Sequence, residues 1–150
     1  MPNHITLLES VPLFAGLPTS TLERLDTLFV ERHHPAGADI VTEDKGAVAF
    51  FVVVDGRAEV RHGEHATPVR TLTRGDSFGE IAVIDGRARS ATVRAAVPTT
   101  CLALTSWDFM AEVRSDSDLA VHLLKAMTAR VRDLEARLAE AAAPERIPST

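Results

Sequence analysis

Hydrophobic and polar positions change their period twice along the chain. In VPLFAGLPTSTLERLDTLF, Leu22, Leu25, Leu28 and Phe29 fall on one helical face, and Ser20 with Glu23 has the spacing of a capping box. This predicts a short amphipathic helix, preceded by an apolar turn at Val11 to Phe14 that packs against the next segment of the chain. From about Val30 to Leu104 the period shortens to β-like runs: FVERHH, DIVT, VAFFVVV, RAEVRH, PVRTLT, SATVRA and TCLAL. Asp55-Gly56 has the signature of a hairpin turn, and Gly63 of the next one. So many short strands in so short a stretch predict a sandwich or barrel.

After Ser106-Trp107 the helical period returns, first from Trp107 to Arg114 and then, after Ser117, to about Ala142. In the longer stretch Ala120, Leu124, Met127, Val131, Leu134, Leu138 and Ala141 alternate four- and three-residue steps, a heptad stripe. Such a face suits a second helix, and a homodimer through it is the expectation; the same face could instead lie on its own barrel. The organisation expected is one domain over 1–142, with N-terminal helices in 7–29, a barrel in 30–105, C-terminal helices in 107–142 and a disordered tail over 143–150.

The chain has 150 residues, 45% of them hydrophobic and 25% charged, enough for a core without staples. A net charge of -5, with positive residues scattered among Asp and Glu, argues against a nucleic-acid partner or an anionic membrane surface. The longest apolar run, Ala47 to Val54, is far short of the roughly 20 residues a membrane-spanning helix needs and reads as a buried strand. A single cysteine, Cys101, and a start lacking a secretory pattern make the cytoplasm the expected compartment.

The stretch FGEIAVIDGRARSATV, Phe78 to Val93, concentrates polar chemistry among small side chains. Gly79 permits close backbone approach, and Glu80 to Ile84 could begin a helical turn whose free N–H groups face an anion. Ala82 leaves those groups unobstructed, Arg89 offers a planar fork to two phosphate oxygens, and Ser90 adds a hydroxyl. A carboxylate beside a phosphate is unfavourable unless it has its own donor to meet, and a ribose hydroxyl is such a donor. A small phosphate diester with a sugar hydroxyl would satisfy both charges. Spacing alone leaves equal room for an ordinary surface ion pair between Glu80 and Arg89, worth about 0 to 1 kcal/mol.

The same stretch closely resembles the phosphate-binding cassette of the cyclic nucleotide-binding domain family: F-G-E, small apolar residues, a variable loop, then R-x-A-T/S-V. The similarity extends through LLESVPLFAGL, PAGADIV, FFVVVDGRAEV, LTRGDSFGE and LLKAMTARVRDLE, about Leu7 to Leu138. Two turns depart from the pattern: Ala88 stands where Pro is frequent before the arginine, and Glu43-Asp44-Lys45 replaces a usual glycine. The resemblance implies a mainly β fold with flanking helices, a β-roll or jelly-roll barrel of about eight strands with a long C-terminal helix. It also implies non-catalytic, reversible binding of a cyclic mononucleotide, cAMP ahead of cGMP. Glu80 would take the ribose hydroxyl, Arg89 the exocyclic phosphate oxygens, and Ala82 and Ser90 would offer backbone N–H groups. Gly79, Ile81 and Ala91 would complete the ligand-binding set, and Leu134 or Arg130 of the long helix would cover the base. Ser90 does not choose between the two bases.

With no DNA-reading module expected after the long helix, the output would be a downstream protein partner, a neighbouring subunit or the removal of free ligand. The alternative is the same fold working as a protein–protein interaction module without nucleotide. A metal is not expected, because His33-His34 and His62-Gly63-Glu64-His65 lack metal-ligand spacing for strands or helices. Cys101 inside TCLAL reads as a core residue, and Arg87 in the DGRA turn as a solvent-exposed charge.

Overall fold

The structure is a computed structural model that describes residues 4–42, 49–63, 67–79, 83–84 and 91–142. Two N-terminal helices, α1 (Ile5–Ser10) and α2 (Thr19–Asp26), precede eight strands. The strands are β1 (Val30–His34), β2 (Asp39–Val41), β3 (Ala49–Asp55), β4 (Ala58–Arg61), β5 (Arg70–Leu72), β6 (Ser77–Phe78), β7 (Thr92–Ala95) and β8 (Thr99–Thr105). The helices α3 (Ser106–Ser115) and α4 (Ser117–Ala142) complete the order.

The strands form two antiparallel four-stranded sheets, ordered β1-β8-β3-β6 and β2-β7-β4-β5. This is the jelly-roll order, in which two sheets face each other instead of closing into one barrel. The roll expected from sequence is therefore present, open at its edges. The eighth strand is β6, two residues long, which the periodic runs did not reveal because so short a pair carries no alternation.

β3 and β8 show why the central runs are continuously apolar. Phe50 and Val52 of β3, with Leu102 and Leu104 of β8, belong to a core that also holds Leu8, Leu22, Leu25, Phe109, Leu119 and Leu123 from the helices and Phe14 from the turn between α1 and α2. Their neighbours Phe51, Val53, Cys101 and Ala103 point the other way, into a second core between the sheets with Ala58, Leu72, Phe78 and Val93. Both faces of these strands are covered, so the alternation of a half-exposed strand disappears.

Two local expectations are corrected. The capping box is not formed: α2 begins at Thr19 after Pro18, which has no side chain to cap with, and Ser20 is already inside the helix. Pro18 accounts for the start, since a fixed φ suits a helix entry. Asp55-Gly56 does not close a hairpin either, because β3 and β4 lie in different sheets. The turn carries the chain from one sheet to the other, with Gly56 at φ +100° against the Pro98–Thr99 backbone, where a Cβ would sit 2.6 Å from the Pro98 oxygen. The Gly63 turn does join a paired β4 and β5.

The heptad stripe on α4 is divided. Leu119 and Leu123 bury the first two turns, and Ala126 and Met127 lean on the same core. Leu124 (67% exposed), Val131, Leu134 and Leu138 (69%) face away from it. No helix among the described residues is long and apolar enough to cross a membrane. The tail from residue 143 lies outside the described residues.

Candidate functional site

The site is built where the first core, the second core and α4 meet. Phe78 ends β6 inside the sheet-to-sheet core, stacked on Phe51, and the next residue, Gly79, adopts φ +92°. Side chains with a Cβ rarely tolerate that region, so a glycine directly after the last core residue lets the chain turn out of the sheet. Four residues on, the Val83 N–H donates to the Gly79 carbonyl at 3.1 Å, and Val83 and Ile84 are helical. Val83 is buried in the helical core with Phe109, Leu119 and Leu123, while Ile84 is exposed.

The returning arm is described from Ala91, which directly precedes β7 and lies in step with the buried Val93 and Ala95. Of the expected cassette, Phe78 to Val93, the described residues are thus 78–79, 83–84 and 91–93. Glu80, Ile81, Ala82, Arg89 and Ser90 lie outside the described residues, as do Arg87, Ala88 and residues 43–45.

Arg130 and Leu134 are on α4, where they line an open groove of about 640 Å³. Across it stand Arg70 of β5, Asp76 and Ser77 at the entry to β6, and Pro12 and Leu13 of the N-terminal turn. Ser77 is two residues before Gly79, so Arg130 and Leu134 share the groove with the strand that leads to Gly79. Sequence reasoning missed Arg70. Its signal was available in the alternation of RTL: Leu72 is buried between the sheets, and Arg70, two residues earlier, shares its face. The Arg70 guanidinium has no hydrogen-bond or ion-pair partner among the described residues. Arg137 further along α4 pairs with Asp133 at 3.0 Å, and Asp76 accepts from the Thr73 N–H at 2.8 Å.

The junction between α3 and α4 is held by charge. Arg24 of α2 reaches Glu112 with Nε at 2.7 Å and Asp116 with Nη2 at 2.6 Å. Asp116 also accepts from the Leu119 N–H at 3.1 Å, capping α4. The Leu119 N–H and then the Arg24 guanidinium hold the Asp116 carboxyl below its usual range, and the two carboxylates raise Arg24 further.

Other candidate groups have structural surroundings. Burial pushes the Cys101 thiol up to about 11, which suits a core side chain and not a nucleophile. Burial also lowers His34, and His33 pairs with the Thr100 hydroxyl at 3.0 Å. His122 packs beneath Gly16, where an added Cβ would lie 3.6 Å from the imidazole. Among the described residues, no three His, Cys, Asp or Glu side chains converge as metal ligands would.

The architecture is that of a jelly roll with a long helix lying across an open groove. Residues 31–116 match the sequence pattern of the family described as Cyclic nucleotide-binding domain, more than half of the chain, and the chain belongs to that family. A cyclic nucleotide-gated potassium channel of Rhizobium etli is 36% identical over 119 residues, which cover 79% of this chain and 33% of the channel. A cAMP-dependent protein kinase regulatory subunit of Aspergillus fumigatus is 34% identical over 86 residues, 57% of this chain and 21% of the subunit. The chain spans a third or less of the length of these curated relatives. The N-terminal domain of a transcriptional regulator from Streptomyces coelicolor A3(2) superposes with a TM-score of 0.78 at 23% identity, covering 95% of this chain and 99% of that domain, which establishes the shared fold.

Proposed function

We propose that the chain is a cytoplasmic, non-catalytic receptor for a cyclic mononucleotide, with cAMP the favoured ligand and cGMP the alternative, and that residues 1–142 form its single domain. The observation that carries this reading is the groove that sets Arg130 and Leu134 opposite Ser77, two residues before the glycine that opens the cassette. In the proposed complex Glu80 accepts from the ribose hydroxyl and Arg89 donates a bidentate pair to the exocyclic phosphate oxygens. Backbone N–H groups of Ala82 and Ser90 complete the phosphate cradle, with Gly79, Ile81 and Ala91 beside them. Arg130 and Leu134 cover the base.

Switching is proposed to run through Val83. It shares one core with Phe109 of α3 and with Leu119 and Leu123 of α4. Packed interiors do not deform continuously, so a cassette that tightens on a ligand favours a different setting of the α3–α4 junction. The exposed stripe Leu124, Val131, Leu134 and Leu138 supports a homodimer through α4, whose rearrangement would signal to a downstream protein partner.

The same stripe favours a second reading, in which the fold serves as an interaction module without nucleotide. Titration of nucleotide-free protein with cAMP and cGMP, beside Arg89→Ala, separates the two. Binding lost in the variant supports the receptor, and absence of binding to folded wild-type protein supports the module.

A further inference from the structure

Arg24 is distant in sequence from the cassette and from the lid, yet its guanidinium ties α2 by charge to both α3 and the residue that precedes α4, beside the apolar packing of Leu22 and Leu25. Its two carboxylate partners lie 88 and 92 residues away in sequence, one on α3 and one at the residue between α3 and α4. Asp116 has extended backbone, φ -130° and ψ 99°, so the two helices are not one continuous rod and their angle must be fixed by something else. Leu119 and Leu123 are buried in the core, and Ala126 and Met127 lean on it, so apolar packing against the core ends at Met127. Beyond Met127 the helix lines the open groove through Arg130, Leu134 and Arg137, while Val131, Leu134 and Leu138 remain exposed. The direction of the rest of the helix therefore depends on how the stretch from Asp116 to Met127 is held.

We infer that Arg24 is a positioning residue for the lid: by gripping Glu112 and Asp116 together it fixes the angle at which α4 leaves the junction, and so where Arg130 and Leu134 stand over the groove. The lever is long. Arg130 is fourteen residues beyond Asp116, about 21 Å along the helix at about 1.5 Å per residue, so a tilt of about 10° displaces it by about 4 Å. That is more than a hydrogen bond or a van der Waals contact with a base survives. A guanidinium suits the task because its planar fork meets two carboxylates with defined directions, whereas an ammonium is a point charge on a flexible stem. The role in covering a base rests on the receptor reading; the control of helix direction does not.

The test measures distance without any ligand. Thr71→Cys on β5 and Ala136→Cys on α4, both exposed, carry nitroxide labels, and the buried Cys101 remains unlabelled. Labelled chain is diluted into excess unlabelled chain so that only distances within one chain are read. The expected result is a narrow distance distribution with Arg24 intact, a distribution broadened and shifted by several ångströms in Arg24→Ala, and an intermediate one in Arg24→Lys. Arg94→Ala, which removes a different exposed ion pair, to Asp39 at the edge of the roll, is expected to leave the distribution unchanged. Superimposable distributions for wild type and Arg24→Ala overturn the inference, and so does an equal change in Arg94→Ala, which would mean general loosening. In parallel, Arg24→Ala is expected to weaken cAMP binding about 3- to 10-fold, a partial loss where Arg89→Ala gives a complete one. Unchanged affinity beside a changed distance overturns the lid role. If wild type binds no cyclic nucleotide, the receptor reading fails while the distances still decide the role of Arg24.

Discussion

Phe51 of β3 and Phe78 of β6 stack with centroids 5.0 Å apart and planes 11° from parallel. Both are buried, and Phe78 is the last residue before Gly79, so the turn that starts the cassette is anchored on the ring pair in the core between the sheets. Phe78→Ala removes that anchor and leaves a cavity. A loss of about 3 to 5 kcal/mol is expected from chemical denaturation, with ligand affinity falling even in the fraction that stays folded. Phe78→Leu, which keeps most of the volume, is expected to recover the greater part of both.

Arg70 faces the groove from the same side of β5 as the buried Leu72. A guanidinium can donate twice to the O6 and N7 acceptors of guanine, while adenine presents an amino donor in place of O6. Arg70→Ala is therefore expected to weaken cGMP binding by about 1 kcal/mol or more and cAMP binding by less. Parallel titrations with the two nucleotides check this. An equal loss for both would remove Arg70 from base recognition.

The Asp116 carboxyl gives a pH expectation with a definite sign. Its folded value is depressed, so its stabilising contribution is present above the unfolded value and is lost as pH falls through the folded one. Carbon-detected NMR titration should find Asp116 below the ordinary aspartate range. Arg24→Ala should raise it only part of the way, because the Leu119 N–H is the larger cause and remains. A return to the ordinary value in that variant would assign the depression to the ion pair alone.

Leu134 and Leu138 test association. Both are exposed apolar residues on one stripe of α4, and a carboxylate at each cannot be buried between two helices without a large desolvation penalty. Leu134→Glu with Leu138→Glu is expected to halve the sedimentation mass of a dimer. A mass unchanged from wild type would exclude this stripe as the contact.

The roll and its helices were legible because their signals are local. The alternation in RAEVRH, the doubly buried AFFVVV and the heptad steps of α4 each reflect a period that survives in the folded chain. The failures arose where tertiary context overrode a local signal. Asp55-Gly56 reads as a hairpin, yet the chain crosses between sheets there, because a turn dipeptide fixes local φ and ψ but not the sheet its strands join. Ser20 and Glu23 have capping spacing, yet the helix already starts after Pro18, ahead of that box. Arg70 and Arg24 were invisible for a different reason: their roles depend on α4 lying across β5 and on α2 lying beside the α3–α4 junction, and no short-range pattern encodes such meetings. The cassette motif itself was the clearest feature of the sequence, and of its described residues Gly79 directly follows β6 and Ala91 directly precedes β7.

The most direct measurement is a calorimetric titration of nucleotide-free protein with cAMP and cGMP, run beside Arg89→Ala. Loss of a charge-assisted bidentate contact to phosphate removes several kcal/mol, on the order of 100-fold or more in affinity. Saturable binding of at least one nucleotide by the wild type, reduced at least that far in the variant, is the predicted result. No heat with either nucleotide in folded wild-type protein, or equal binding by wild type and Arg89→Ala, would contradict it.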